Sequence, residues 1–202
     1  VLMFTSGAWG QIDTLLTLLL VLTCHFFLQD QKILAGAVYG VAILLKPQAL
    51  MLGPVLAVAY LSDCLNRDGW KRALRDAALA VLAALAAIFV LALPFQSTQP
   101  WNWLIEKYRD TASTYQYASI EAFNLFSLLG GNWKSIEETV LGVPFAVLGP
   151  IGVGLSVAFS AVLYWFGRKS RAGKGAALYL SGAALIAGVF TLGHFMHERY
   201  LI

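Results

Sequence analysis

The chain has 202 residues, 59% of them hydrophobic and only 12% charged, against roughly 25% charged residues in ordinary soluble domains. Mean hydropathy is +0.71 and the formal net charge is +3. This composition excludes a water-soluble globule, a disordered tail and a nucleic-acid-binding domain, which needs far more Lys and Arg.

The apolar residues lie in long runs separated by short polar breaks. That pattern predicts an all-α, polytopic transmembrane bundle with about five or six membrane helices. Residues 12–28 form the first run, near the lower length limit for a span. The break Gln29-Asp30-Gln31-Lys32 follows. Residues 33–45 and 49–61 are two shorter runs around Lys46-Pro47-Gln48. Proline lacks a backbone donor and clashes with the preceding turn, so a break or kink is expected at Pro47. Residues 62–76 are polar and carry Arg67, Lys71, Arg72 and Arg75. Residues 77–93 are a clean span, and 94–139 are polar and aromatic. Residues 140–166 form a span loosened by glycines and by Pro144 and Pro150. Arg168, Lys169, Arg171 and Lys174 crowd the short break 167–175, and 176–195 is the last span.

The basic breaks set the orientation. Segments 62–76 and 167–175 are expected in the cytoplasm by the positive-inside rule, and the two spans between them give consistent parity. Segment 94–139 and the C-terminal His/Glu/Arg cluster then face outward, with 1–202 a single transmembrane domain and 94–139 its extracytoplasmic loop. As one kinked helix, 33–61 would be about 43 Å long; as two, each reaches only about 20 Å against a core of ~30 Å. Short helices survive beside other helices or a wet cavity, and that argument favours two helices turning back at Lys46-Pro47-Gln48. The Gln29–Lys32 break then lies inside and Trp9–Asp13 outside. Val1 is no initiator Met, and a new apolar run begins as the chain leaves the polar cluster at Arg199–Ile202, so the chain is expected to be an internal fragment of a longer membrane protein. Cys24 and Cys64 have no metal-site spacing, and no disulfide is expected between them.

Four polar clusters share the outer side in the two-helix reading. Gln11 and Asp13 sit at a helix start, where a plain N-cap beside an interfacial Trp9 would also explain them. Lys46, with Gln48 next to Pro47, is a cation between apolar runs; it is either functional or snorkels to the interface. Its place at a helix C-terminus is favoured by the helix dipole. In the outer segment Trp101, Leu104, Ile105 and Tyr108 have helical spacing, with Asn102, Glu106, Lys107 and Arg109 opposite. This predicts an interfacial amphipathic helix, for which simple anchoring is sufficient. Tyr115, Tyr117, Glu121 and Asn124 mix rings and polar groups in a way that suits a sugar. Last, His194 and His197 stand i, i+3 and are expected on one helix face, beside Glu198 and Arg199. Arginine and imidazoles suit a phosphate. A zinc reading is weaker, because Arg199 would repel the ion and no HExxH pattern is present. Gly36 and Gly40 make a GxxxG spacing read as helix packing.

Gly10-Gln11-Ile12-Asp13, then Lys46-Pro47-Gln48-Ala49-Leu50, then Glu121-Ala122-Phe123-Asn124-Leu125-Phe126 and finally His197-Glu198-Arg199-Tyr200-Leu201 follow in order. In that order the chain resembles the GT-C superfamily of integral-membrane glycosyltransferases. It is most similar to bacterial proteins of the dolichyl-phosphate-mannose-protein mannosyltransferase-like group, and more distantly to eukaryotic dolichyl-phosphate-glucose glucosyltransferases. The resemblance implies an enzyme of the cell membrane, with its active face extracytoplasmic. It would move a mannose- or glucose-type hexose from a polyprenyl-phosphate donor to a hydroxyl on a glycan, lipid or protein, with inversion at the anomeric carbon. No cofactor, metal or nucleic-acid partner is expected. The family's catalytic carboxylate is expected N-terminal to this chain, so no residue here is assigned as the main base. Lys46, His194, His197 and Arg199 would meet the donor phosphate. Gln11, Asp13, Gln48, Tyr115, Tyr117, Glu121, Asn124 and Glu198 would line the substrate or support the site. A transporter or flippase for a lipid-linked saccharide is the rival reading; the lack of internal repeats counts against it.

Overall fold

A computed structural model describes residues 12–66, 70–114 and 116–197. It is all-α but for four two-residue strands. Helix α1 spans Asp13–Leu28, α2 Lys32–Leu45, α3 Gly53–Asn66 and α4 Trp70–Gln96. A 3-10 turn, Pro47–Leu52, joins α2 to α3. Helix α5 is Trp103–Thr114, α6 the single turn Leu125–Leu128, α7 Phe145–Gly167 and α8 Gly173–Leu192. Among the described residues four helices are long and apolar enough to cross a membrane, one of them formed by the 3-10 turn and α3 together, and α1 and α2 are shorter apolar helices. The protein is therefore a membrane-integral helical bundle, as its composition requires.

The contacts divide the chain into two compact units. The first contains residues 1–101 and 163–180, the second residues 102–162 and 181–202.

In the first unit the stretch 33–61 is two helices that turn back, not one kinked helix. Lys32 at the start of α2 meets Asp63 near the end of α3, while Tyr39 donates to the Ala49 carbonyl at 3.1 Å near the turn. Helix α4 then runs parallel to α2: Gly36 lies against the Ala80 carbonyl and Gly40 against that of Ala84. A Cβ at either glycine would overlap that backbone, so the GxxxG spacing lets two main chains touch. The outward face of α4 carries Val81, Leu82, Leu85, Phe89 and Val90, all exposed, while its buried residues are Ala73 and Ala80. Small residues inside and large ones outside invert the soluble pattern, as expected where lipid covers the outer face. Helix α4 also begins seven residues before the expected apolar run. Lys71, Arg72 and Arg75 are good helix formers and extend it into the basic break.

The second unit holds most of the polar and aromatic segment 94–139. Strand β1 (Ser119–Ile120) pairs in parallel with β4 (Met196–His197), Ser119 opposite Met196 and Ile120 opposite His197. Strands β2 (Thr139–Val140) and β3 (Val143–Pro144) form a hairpin over Leu141 and Gly142, both with positive φ. That sign at both central residues is what a tight right-twisting hairpin needs. Ala118, Phe126 and Phe145 make a small core, with the two rings edge to face at 5.7 Å. The parts of α7 and α8 in this unit are antiparallel and close: Gly152 abuts Leu192 and Gly188 abuts Ser156. Ser156 and Ser160 return their hydroxyls to carbonyls one turn back, which satisfies them at membrane depth.

Two expectations need correction here. Helix α8 stops at Leu192, and His197 lies in β4, so His194 and His197 do not share a helix face. Gly193 ends the helix, and Phe195 has φ of +60°. The backbone groups the helix would have used go instead to pairing with β1. Trp101 lies ahead of α5, so the helical part of the predicted apolar stripe begins at Leu104 rather than at Trp101.

Candidate active site

The first polar cluster forms at the open end of the α1–α2 hairpin. Pro47 forces it. A proline disfavours the helical region for the residue before it, and Lys46 is extended at φ −156°, ψ 122°. The lysine so released forms an ion pair with Asp13, the first residue of α1. Each charge complements its helix dipole, the acid at an N-terminus and the base at a C-terminus. Both side chains are largely buried, at 22% and 13% exposed. Among the described residues, Asp13 Oδ2 and the Gln48 side-chain oxygen are buried without a hydrogen-bond partner. A buried acceptor favours a donor, so these two oxygens give the spot a polar character within an otherwise apolar setting.

An apolar cleft of about 510 Å³ runs through the same unit. Ile43 and Gly53, which flank the Lys46–Leu52 break, line one end, and Phe27 and Tyr60 line the other. It is walled almost wholly by carbon.

The sugar-like cluster and the histidine cluster meet in the second unit through the β1–β4 pairing. Asn124 organises the meeting and is buried. Its Oδ1 accepts from the Ser127 amide at 3.0 Å, capping α6, and from Ser119 Oγ at 3.1 Å. Its Nδ2 donates to the Gly193 carbonyl at 3.4 Å. Asn124 thus spends its amide on the chain itself. Glu121 is exposed with φ of +52°, and its amide donates to Asn132 Oδ1 at 2.7 Å. Tyr117 is exposed and sits edge to face with Trp133 at 5.6 Å, a two-ring surface beside β1. His194 is half-buried against Gly149 and stacks on Phe195 at 3.9 Å. Burial pushes its imidazole below the ordinary value. For His197 only the backbone is described. Gln11, Tyr115, Glu198 and Arg199 lie outside the described residues. Among the described residues no three His, Cys, Asp or Glu side chains converge, and both cysteines are free thiols.

One constellation escaped the sequence reading. Asp63 is bridged by two lysines, Lys32 at 3.2 Å and Lys174 at 2.5 Å. Lys32 also donates to the Phe27 carbonyl at 2.8 Å and lies 3.4 Å from the centroid of that ring. This trio gathers the breaks 29–32, 62–76 and 167–175 at one end of the first unit. An acid among so many basic residues was the available signal. Its partners were not legible, because Lys32 is 31 residues away and Lys174 is 111.

No curated protein and no solved structure matches the chain. The pattern of glycosyltransferase family 87 matches residues 2–191, nearly its whole length. A helical membrane bundle with buried ion pairs at its helix ends is consistent with that match. The chain belongs to glycosyltransferase family 87, a family of GT-C-like membrane glycosyltransferases.

Proposed function

We propose that the protein transfers a mannose- or glucose-type hexose from a polyprenyl-phosphate donor to an acceptor hydroxyl on the extracytoplasmic side of the cell membrane. The observation that carries this reading is the Asp13–Lys46 pair in the same unit as an apolar cleft whose lining residues Ile43 and Gly53 bracket Lys46 in sequence. A donor that is half phosphate and half isoprenoid needs both features side by side. The tail would lie among the carbon walls near Ile43 and Gly53, and the phosphate beside Lys46. The acceptor hydroxyl gives its proton to a carboxylate base, which the GT-C resemblance expects N-terminal to these residues; its oxygen attacks the anomeric carbon, the carbon–oxygen bond to phosphate breaks, and the bonding pair leaves with the polyprenyl phosphate. Negative charge grows on that phosphate, and a fixed ammonium in a low-dielectric pocket stabilises it better than water does. Asp13 holds Lys46 in place, and the buried Gln48 amide offers further polar contact.

Charge supports the outward side. The Lys32–Asp63–Lys174 end gathers the basic breaks, which the positive-inside rule places in the cytoplasm. The Asp13–Lys46 end then faces outward. The test is transfer by the full-length protein from a panel of synthetic polyprenyl-phosphate sugars and, in parallel, from nucleotide sugars. Turnover with a polyprenyl-phosphate hexose is expected. Turnover with nucleotide sugars alone would overturn the reading.

A further inference from the structure

The other end of the first unit carries a second polar cleft that the proposed transfer does not use. Helices α2 and α4 run parallel, so their N-termini point the same way, toward this end. A cleft of about 550 Å³ lies between these ends. Two kinds of wall line it. One is basic: Arg72 and Arg75, three apart on one face of α4, both about two-thirds exposed. The other is apolar: Ile33, Leu34 and Leu79, all exposed along the two helices.

The charges at the cleft do not balance locally. Asp76 is largely buried and is shared by both arginines, Arg75 at 3.1 Å and Arg72 at 3.8 Å. One carboxylate facing two guanidinium groups leaves a positive charge at the rim. Lys32 and Asp30 also line the cleft and pair at 3.6 Å; with Asp63 and Lys174 they form a balanced group of two acids and two bases, so the excess positive charge is that of the arginine pair. No side chain caps the N-terminus of α2, so its first-turn amides add partial positive charge. Guanidinium forks match phosphate oxygens in pairs. A free anion would use the arginines but leave the apolar wall unused.

We propose that this cleft binds an anionic membrane phospholipid, its phosphate held by Arg72 and Arg75 and one acyl chain lying along Ile33, Leu34 and Leu79. The site stands at the opposite end of α2 from Lys46, about 21 Å along a helix of this length, and does not depend on the donor assignment. The bound lipid would clamp the N-terminal ends of α2 and α4 together.

The test uses purified full-length protein in neutral detergent. Thermal unfolding is followed while short-chain phosphatidylglycerol, phosphatidylcholine or inorganic phosphate is added. Phosphatidylglycerol is expected to raise Tm saturably, and the other two are not. The R72Q/R75Q variant should bind phosphatidylglycerol about tenfold or more weakly, in line with the worth of two arginines at an anionic surface. Because that variant could misfold, Ala37→Phe serves beside it: it fills the apolar side of the cleft, keeps both arginines and should also lose the response. Equal shifts with phosphatidylcholine, a full shift with inorganic phosphate, or an undiminished response in either variant would overturn the proposal.

Discussion

Asp13 and Lys46, 33 residues apart in sequence, form an ion pair that closes the open end of the α1–α2 hairpin. The pair exists because Pro47 ends α2 one residue early and leaves Lys46 extended. Lys46→Ala in the full-length protein should lower transfer by about 10²–10³-fold, the usual loss when one donor to a developing oxyanion is removed. Lys46→Arg should retain part of the activity. Expression and detergent-solubilised Tm, measured alongside, separate loss of chemistry from loss of fold.

Gly36 touches the Ala80 carbonyl, so even one methyl has no room. Gly36→Ala should destabilise the protein by about 1–3 kcal/mol, the range for overpacked cores. Gly154, with nothing within 4 Å of its would-be Cβ, is the control: Gly154→Ala should leave Tm unchanged or slightly raised. Thermal unfolding of both variants decides the matter, and equal Tm values would contradict the packing.

Asn124→Ala removes a helix cap and the side-chain donor to the Gly193 carbonyl, while Ser119 Oγ keeps the Ala122 carbonyl as an acceptor at 3.3 Å. The expected cost is about 1–3 kcal/mol, from the lost cap and unpaired buried groups. Asn124→Asp keeps the acceptor for Ser127 but loses the donor to Gly193, so its Tm should fall between the two. Proteolysis of segment 94–139 reports the same order.

His194 has its pKa depressed in the folded protein because burial disfavours the imidazolium. A depressed pKa favours the neutral ring in the fold. The resulting stability is present above the unfolded value of about 6.5 and is lost as pH falls through the folded value. Tm should therefore drop between pH 7.5 and 5.5, and His194→Gln should flatten that drop. A variant with the parent's pH slope would contradict this assignment.

The apolar helices were legible because each announces itself locally, by length and hydropathy. The reversal at Lys46-Pro47 was legible for the same reason, since proline acts on its immediate neighbours. Other features are long-range and left little trace. The β1–β4 pairing uses two residues from each side, too few to show a period. Without it, the C-terminal histidines look like a continuing helix. The Lys32–Asp63–Lys174 trio joins three breaks that look separately like solvated turns. The contacts by which Asn124 braces the loop include one to Gly193, 69 residues away, which leaves no local trace. Lys46, by contrast, stands out in the sequence and has a structured setting, so the donor reading rests on it.

The central claim is that the donor's phosphate sits beside Lys46. The most direct measurement is photo-crosslinking of full-length protein with a polyprenyl phosphate carrying a photoreactive group on its first isoprene, followed by peptide mapping. The account predicts label between residues 39 and 53, competed away by unlabelled polyprenyl phosphate and reduced in Lys46→Ala. Competable label confined to other segments, with none in that stretch, would contradict it.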